Sequence, residues 1–403
     1  MSLRKLLFQT HWIVGITAGI VLAIVGITGA VLSFEQQIVG AIERDNRQVA
    51  ANGRAPLAPV ELLTRIAAEH PHNRIAGLSI VHEPSTIARV TFAPTGERAA
   101  GGEGGRGRGE QRYADPYTGT LLEPKPSSAE TFFRNVRQLH RWLMLGDLGD
   151  RDIGRQIVGA CTMLLIFMAS TGLYLRWPRG SAARRVRTWL IPDFRLKGRA
   201  FLWNLHAVAG TWVLPVYLVI ALTGLQWSYE WYRNGLYTIA GVERPAGPEG
   251  AREPRGGAPS GDRARGPDLA GFAQAWGTFA RETGGSFATV NVNLAARPGR
   301  PLEFRYLDAR APHERAFNTL SIDGTGRVVT HERYDEKPVR AQLVSSIFPL
   351  HSGSFFGVAG VVVFLLASLA MPVFAVTGWM MYLRRRAPRA GRASLGAATE
   401  EVG

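Results

Sequence analysis

Residues 12–34 read WIVGITAGIVLAIVGITGAVLSF, twenty-three residues without one charged side chain. A helix needs about 20 apolar residues to cross the hydrocarbon core of a bilayer, so this run is long enough to span it. Three further uncharged runs follow at Ile157–Leu175, Phe201–Tyr229 and Phe355–Leu383. The chain as a whole is only 46% apolar; its apolar residues are bunched. Four buried helices of a soluble protein are the alternative. It is disfavoured because a helix apolar all round belongs in a membrane or a very large core. The first run is too long for the apolar core of a signal peptide, and no Ala-x-Ala site follows it, so it reads as a retained span.

The formal charge of +15 invites a nucleic-acid reading, but its placement argues for a membrane. Between Arg176 and Ala200 lie eight Lys/Arg and one acid, and the tail after Leu383 carries Arg384, Arg385, Arg386, Arg389 and Arg392. Arg4 and Lys5 precede the first run. Short basic segments beside spans mark the cytoplasmic side, and all three place both termini inside and the two long loops outside. The single cysteine, Cys161, falls inside the second span. It excludes an internal disulfide and a Cys-x-x-Cys-His haem attachment, and it reads as a small packing residue.

The chain is a tandem duplication. Aligning His11 with His206 brings Gly15 onto Gly210, Thr28-Gly29 onto Thr223-Gly224 and Glu35 onto Glu230 without a gap. The even spans correspond too. Leu139-His140 precedes the second and Leu350-His351 the fourth, while Thr171-Gly172 and Thr377-Gly378 lie near their ends. Each copy reads span, outside domain, span, so the repeat is parallel, with a pseudo-twofold axis along the membrane normal. The outside domains read as small α+β units. Pro59–His70 and Phe272–Thr283 have helical periodicity. Ile75–Ile80, Ile87–Phe92, Phe287–Leu294 and Leu302–Leu307 read as strands. Asp115 to Gly119 and Asp323 to Gly326 read as structural turns between strands. Two stretches, Gly96–Gly109 and Ala246–Pro267, are rich in Gly, Arg, Glu and Pro and cannot bury apolar surface. They read as solvated linkers, with a basic substrate-gathering role as the alternative.

Four of the nine histidines occupy matched positions of the repeat. His11 and His206 lie at the inner ends of the odd spans. His140 lies on the apolar face Phe132, Phe133, Val136, Leu139, His140, Leu143 of a helix expected at the outer interface, with a break at Gly146–Asp150 before the second span. Leu343, Ile347 and His351 repeat that face, with Pro349 distorting its last turn. Ionisable groups within spans are costly and usually mark function. A pseudo-twofold axis makes the members of each pair face one another, and two neutral imidazoles across a bundle suit the two axial positions of a haem b iron. Gly15 and Gly210, one turn beyond their histidines, would admit the ring. Hydrogen-bonded structural histidines or a proton relay remain the alternatives. Zinc fits less well, because it usually takes three or four protein ligands. Arg4, Lys5 and Arg199 inside, with Arg141 and Arg155 outside, are candidate partners for haem propionates, or simply topology signals.

These strand turns, the Leu-His before each even span and the Thr-Gly near each span's end resemble the PepSY-associated transmembrane proteins, which include iron-regulated inner-membrane ferric-siderophore reductases. The resemblance covers nearly the whole chain. It implies an α-helical membrane protein with four transmembrane helices in two parallel repeats and two periplasmic α+β PepSY-like domains. The expected bounds are 1–34 for the cytoplasmic N-terminus and first span, and 35–128 for the first periplasmic domain. An interfacial helix and second span take 129–177, a basic cytoplasmic loop 178–200 and the third span 201–229. The second periplasmic domain is 230–336, the second interfacial helix and fourth span 337–384, and the basic tail 385–403. The implied activity is that of a multi-pass bacterial inner-membrane ferric-siderophore reductase. Its cofactors would be two non-covalent bis-His haems b, held by His11 with His206 and by His140 with His351. Its partners would be a ferric siderophore, a separate cytoplasmic or quinol electron donor and membrane lipid, with no nucleic acid. No flavin or nicotinamide domain is attached, since no Gly-x-Gly-x-x-Gly follows a strand; the two inserts depart from the family's pattern where substrate would dock. The rival of another class is a non-enzymatic module, a peptidase inhibitor or ligand sensor with structural histidines. A transporter would need a polar site at mid-membrane, and the span centres are almost wholly apolar.

The topology has a direct test. Reporter fusions at Gly180 and after Gly403 should report cytoplasmic, and those at Gly101 and Gly256 periplasmic. A periplasmic signal from Gly180 would remove the four-span arrangement.

Overall fold

The computed structural model describes residues 2–51, 53–83, 85–93, 109–123, 127–177, 186–244, 268–294 and 300–386. The two inserts, apart from Gly109, lie outside the described residues, as do 178–185 of the basic loop and the tail beyond Arg386. In chain order the helices are α1 (Leu3–Thr17), α2 (Gly19–Leu32), α3 (Glu35–Ile42), α4 (Arg44–Arg47), α5 (Pro59–Glu69), α6 (Ser128–Trp142), α7 (Arg151–Arg176), α8 (Val186–Leu190), α9 (Gly198–Ser228), α10 (Glu230–Ala240), α11 (Leu269–Thr283), α12 (Val339–Ser345), α13 (Ile347–Ser352) and α14 (Gly357–Arg386). The strands are β1 (Ile75–Val81), β2 (Ala88–Phe92), β3 (Gln111–Ala114), β4 (Leu121–Leu122), β5 (Phe287–Asn293), β6 (Leu302–Asp308), β7 (Phe317–Ile322) and β8 (Val328–Glu332). They form two compact units, one of Met1–Phe34, Phe133–Arg233 and His351–Gly403, the other of Glu35–Phe132 and Asn234–Leu350.

The first unit is a helix bundle. Among the described residues α7, α9 and α14 are long and apolar enough to cross a membrane, and α1 with α2 makes a fourth span if the bent pair counts as one. α14 packs on α2 and α9, and α7 packs on α9 and α1. At their centre Ala18, Leu22, Cys161, Leu165, Tyr217, Ala221, Ala367 and Met371 form a buried cluster, and Cys161 has the packing role expected of it. The outward faces stay apolar: Ile20, Ile27, Trp212, Leu222, Leu366, Val373 and Val376 are all exposed. That pattern fits lipid rather than water as the solvent.

The first span departs from the unbroken helix expected over Trp12–Phe34. α1 and α2 meet at Ala18 with a bend of 57°. The Thr17 hydroxyl donates back to Ile13 O at 3.1 Å and Val14 O at 3.3 Å, an arrangement that bends helices. Gly19 beside it lets the Ala375 methyl approach, 3.5 Å from where a Cβ would stand. In α9 the equivalent region is one unbroken helix, with Pro215 inside it.

The link between each His-bearing segment and the following span is also tighter than expected. α6 stops at Trp142, because Leu143 and Met144 take left-handed φ of 52° and 57°. A single 3-10 turn at Leu145–Leu148 then leads through Gly149 to α7. The break therefore starts three residues before Gly146. In the second copy the distortion falls before Pro349 rather than after it. α12 ends at Ser345, α13 begins at Ile347, and Gly353 at φ 82° precedes the turn into α14. Gly154 lies on the carbonyl of Trp142 and Gly360 on that of Gly353, so any Cβ at either would collide with backbone.

The second unit holds one eight-stranded antiparallel sheet in the order β4-β3-β2-β1-β5-β6-β7-β8. The sequence reads as two α+β domains, and the structure joins them: β1 pairs with β5, Leu78 opposite Val292 and Ile80 opposite Val290. Alternation buries one face, through Val90 and Phe92, Val290 and Val292, Phe304 and Tyr306, Leu320 and Ile322. α5 lays Leu62, Leu63 and Ile66 on that face and α11 lays Phe272, Ala275 and Phe279, closing a single core. Pro59 starts α5, where its missing N–H costs nothing. Asp268 caps α11 by accepting from Gly271 N at 3.0 Å, and Gly284 ends it at φ 58°. The two turns are structural, as expected. Asp115 accepts from Tyr117 N at 2.7 Å, and Asp323 from Thr325 N at 2.9 Å and Arg327 N at 3.0 Å. The Thr325 hydroxyl, first among these donors, holds the Asp323 carboxyl below its ordinary pKa.

One sheet over one core predicts one cooperative unit. Phe304, fully buried beside Phe272 and Phe279, should cost about 3–5 kcal/mol when replaced by alanine. Hydrogen exchange should then accelerate in β1 and β2 as well as in β5 to β7. Loss of protection confined to β5–β7 would mean two independent domains.

Candidate functional site

All four repeat-related histidines lie in the bundle unit, each half-buried. His11 is on α1 and His206 near the start of α9. His140 is in the last turn of α6, and His351 near the end of α13. His11 and His206 are within electrostatic range of one another, and so are His140 and His351. The duplication thus brings together the pairs that the sequence matched.

Each imidazole Nδ1 meets a threonine hydroxyl. The distance is 2.9 Å from His11 to Thr171 and 2.8 Å from His206 to Thr377. It is 3.0 Å both from His140 to Thr28 and from His351 to Thr223. All four threonines belong to the Thr-Gly pairs that mark the repeat. Each also donates its own proton one turn back, to the carbonyl of Ile24, Phe167, Val219 or Val373 at 2.5–2.8 Å. A hydroxyl has one proton. With that proton committed, the oxygen accepts, and the imidazole must carry its proton on Nδ1. His140 and His351 make the same point twice over, since Nδ1 also faces the Val25 and Ile220 carbonyls, each at 3.1 Å, and a carbonyl only accepts. The hydrogen bond on one ring nitrogen therefore decides the tautomer, and it leaves Nε2 with its lone pair. Among the described residues none bonds to any of these four Nε2 atoms.

His313 shows the contrast. Its Nε2 bonds Tyr334 Oη at 2.9 Å and Ser346 Oγ at 3.0 Å, and its Nδ1 accepts from Arg315 N at 3.2 Å. Both nitrogens are spent on structure, and burial pushes this imidazole below its ordinary pKa. His331 uses Nε2 on Tyr306 Oη at 2.8 Å. Among the described residues, the four bundle histidines pair an Nδ1–H fixed by a threonine with an Nε2 that makes no bond, the form in which a neutral imidazole ligates iron. Among the described residues no cluster of three or more His, Cys, Asp or Glu could hold a metal ion.

The glycine after three of the four threonines lies against an imidazole. A Cβ on Gly29 would stand 3.3 Å from His140 Cε1, on Gly172 3.3 Å from His11 Cε1, and on Gly224 3.2 Å from His351 Cε1. Gly378, the fourth, has nothing within 4 Å. Gly15 and Gly210, read from the sequence as clearance for a bound macrocycle, face Met168 Sδ at 3.8 Å and Phe374 Cε1 at 3.9 Å, ordinary contacts with side chains. In the second copy Phe374 stands edge-on to His206 with centroids 4.9 Å apart, and Trp227 to His351 at 5.1 Å.

The candidate arginines are largely occupied. Arg4 donates to Leu175 O at 2.8 Å, at the C-terminal end of α7. Arg155 pairs with Asp152 at 3.0 Å, and Arg141 lies 4.6 Å over the Trp142 ring. Lys5 and Arg199 are exposed.

A family model described as PepSY-associated TM region matches residues 8–385. No curated protein matches the chain.

The glycines give a sharp comparison. Alanine is favoured over glycine inside a helix by roughly 0.5–1 kcal/mol. Gly378→Ala, in open space, should gain about that much in stability. Gly224→Ala presses on an imidazole held through Nδ1, and overpacking of this kind costs roughly 1–3 kcal/mol. Thermal unfolding in detergent should separate the two variants in opposite directions. Equal shifts would mean that His351 is not held where the structure puts it.

Proposed function

The chain belongs to the PepSY-associated TM family, and from that premise we propose that it is a dihaem b reductase of the bacterial inner membrane, passing electrons outward to ferric iron held in a siderophore. What carries the reading is the doubled pair of histidines with Nδ1 committed and Nε2 free. His11 with His206 would hold one haem, and His140 with His351 the other. When bound, each haem supplies a one-electron carrier whose potential follows its axial ligands and burial.

The chain's own residues supply the rest. The threonines orient the imidazoles, and Gly29, Gly172 and Gly224 let them seat against helix backbone. The cluster around Leu165, Tyr217, Ala221 and Met371 keeps water out between the two levels. On α9, His206 and Thr223 are separated by about 26 Å of helix rise, too far for one useful electron jump, so two sites make sense as a relay. Four spans, with both termini cytoplasmic, follow from the basic flanks. The donor is a quinol or a cytoplasmic reductant. One electron converts Fe(III) to Fe(II), which oxygen-rich chelators hold far more weakly, and the iron leaves.

Purified protein should show a Soret band and two low-spin haems per chain on extraction. His11→Ala and His206→Ala should each lose one haem, and His140→Ala and His351→Ala the other. In oriented proteoliposomes the dithionite-reduced protein should be reoxidised by ferric siderophores added outside, and His140→Ala should lose that reoxidation while keeping one reducible haem. Absence of a Soret band would leave a non-enzymatic module. Two haems that ignore every ferric chelate yet react with another oxidant would keep the relay and remove the siderophore.

A further inference from the structure

The two histidine pairs are not bonded alike. Among the described residues Nδ1 of His11 and of His206 has one acceptor, the hydroxyl of Thr171 or Thr377. Nδ1 of His140 and of His351 has two, a threonine hydroxyl and a backbone carbonyl: Thr28 with Val25, and Thr223 with Ile220. The difference recurs in both copies of the duplication, at positions far apart in the chain, so it belongs to the level in the bundle rather than to one local accident.

An acceptor on Nδ1–H draws the proton outward, enriches the ring and makes Nε2 the stronger donor to a metal. A stronger donor favours the ferric over the ferrous state and lowers the reduction potential. An acceptor also holds the ring's rotation about Cβ–Cγ, so that the direction of Nε2 is set before anything binds. The carbonyls of Val25 and Ile220 are part of the helix and cannot be removed by changing a side chain. The hydroxyls can.

Resting on the dihaem reading, we infer that Thr28, Thr171, Thr223 and Thr377 are positioning residues that set the tautomer and donor strength of the four histidines, with unequal weight at the two levels. At the His11/His206 site the threonines are the sole acceptors, and they govern the potential. At the His140/His351 site each threonine shares the proton with a carbonyl, so its loss is partly covered and the ligand keeps most of its donor strength. The better-supplied ligands belong to the site nearer the outer ends of the spans, where a strong reductant is needed for a tightly chelated ferric ion.

The test is a potentiometric titration of the purified holoprotein, with ferric low-spin electron paramagnetic resonance as a second readout of axial donor strength. Valine keeps the shape of threonine without the acceptor. In a His140→Ala background, which leaves the His11/His206 site, Thr171→Val should move the midpoint clearly upward and alter the g-value spread, and Thr171→Ser should restore both. In a His11→Ala background Thr28→Val should move the remaining midpoint upward by a visibly smaller amount. If a single-haem background does not accumulate, the same valine variants in the otherwise native chain should each move only one of the two waves. No movement with Thr171→Val, no rescue by serine, or an equal or larger shift with Thr28→Val overturns the inference while haem remains bound. A native chain that carries no haem overturns the reading beneath it instead.

Discussion

An imidazole Nδ1–H donated to a threonine hydroxyl whose own proton is already given away is the interaction on which the bundle depends. It occurs four times, and always within one copy of the duplication. In the first copy His11 reaches Thr171 and His140 reaches Thr28; in the second His206 reaches Thr377 and His351 reaches Thr223. The odd span and the segment containing the even span therefore exchange histidine for threonine, once at each end. A hydrogen bond of this kind contributes only about 0.5–1.5 kcal/mol net. Leaving a buried partner unpaired costs more, and in a bilayer no water steps in. Each copy is clamped at both levels. Because Nδ1 and Nε2 lie on opposite flanks of the ring, spending Nδ1 on its own copy leaves Nε2 directed away from that threonine.

Close approach of backbones makes the exchange possible. Without a hydrophobic effect between helices in lipid, association relies on packing and on polar contacts, which favours small residues at the crossings. Gly26 of α2 meets the Met371 side chain and the Ser368 carbonyl, where a Cβ would stand 2.7 Å from each. Gly159 of α7 lies as close to Ser228 and Tyr229 at the end of α9. The 57° bend at Ala18 is not needed for the exchange, since α9 carries His206 and Thr223 at the same spacing on one unbroken helix and makes it too.

The pairing of the histidines was legible in the sequence because a duplication repeats its residues at a constant offset, and the structure holds all four in the bundle unit. The helices and strands were legible too, since Leu62, Leu63 and Ile66 keep helical period and Val290 and Val292 alternate. The threonine partners were not. Thr28-Gly29 and its three relatives stood out as repeat markers, yet the spacing says only that they recur. The bond from His140 to Thr28 bridges 112 residues, a long-range contact that no periodicity encodes. The glycines that seat the imidazoles, Gly29, Gly172 and Gly224, were hidden for the same reason: each lies on a helix facing its histidine, whereas Gly15 and Gly210, read as clearance for a bound macrocycle, lie one turn from a histidine along its own helix. The bend at Ala18 left a faint trace in Gly15, Thr17 and Gly19, outweighed by an uninterrupted apolar run.

The joining of the two α+β halves into one sheet has the same origin as the histidine pairs. β1 and β5 are equivalent strands of the two copies, and they pair antiparallel at the centre of a sheet whose order reads outward from them in both directions. Antiparallel pairing of like with like is what a twofold relation between copies produces. One copy alone would expose β1 as an open apolar edge, the usual start of aggregation, and would hold one histidine of each pair. Neither the single sheet core nor the facing of histidine with histidine exists until both copies are present. Covalent duplication also frees the copies from identity, as a homodimer cannot. Only the first copy splits its His-to-Thr stretch into two helices, and only one of the four Thr-Gly glycines, Gly378, stands clear of its histidine. Four imidazoles are in this way held in unlike settings, two with a threonine alone on Nδ1 and two with a backbone carbonyl besides.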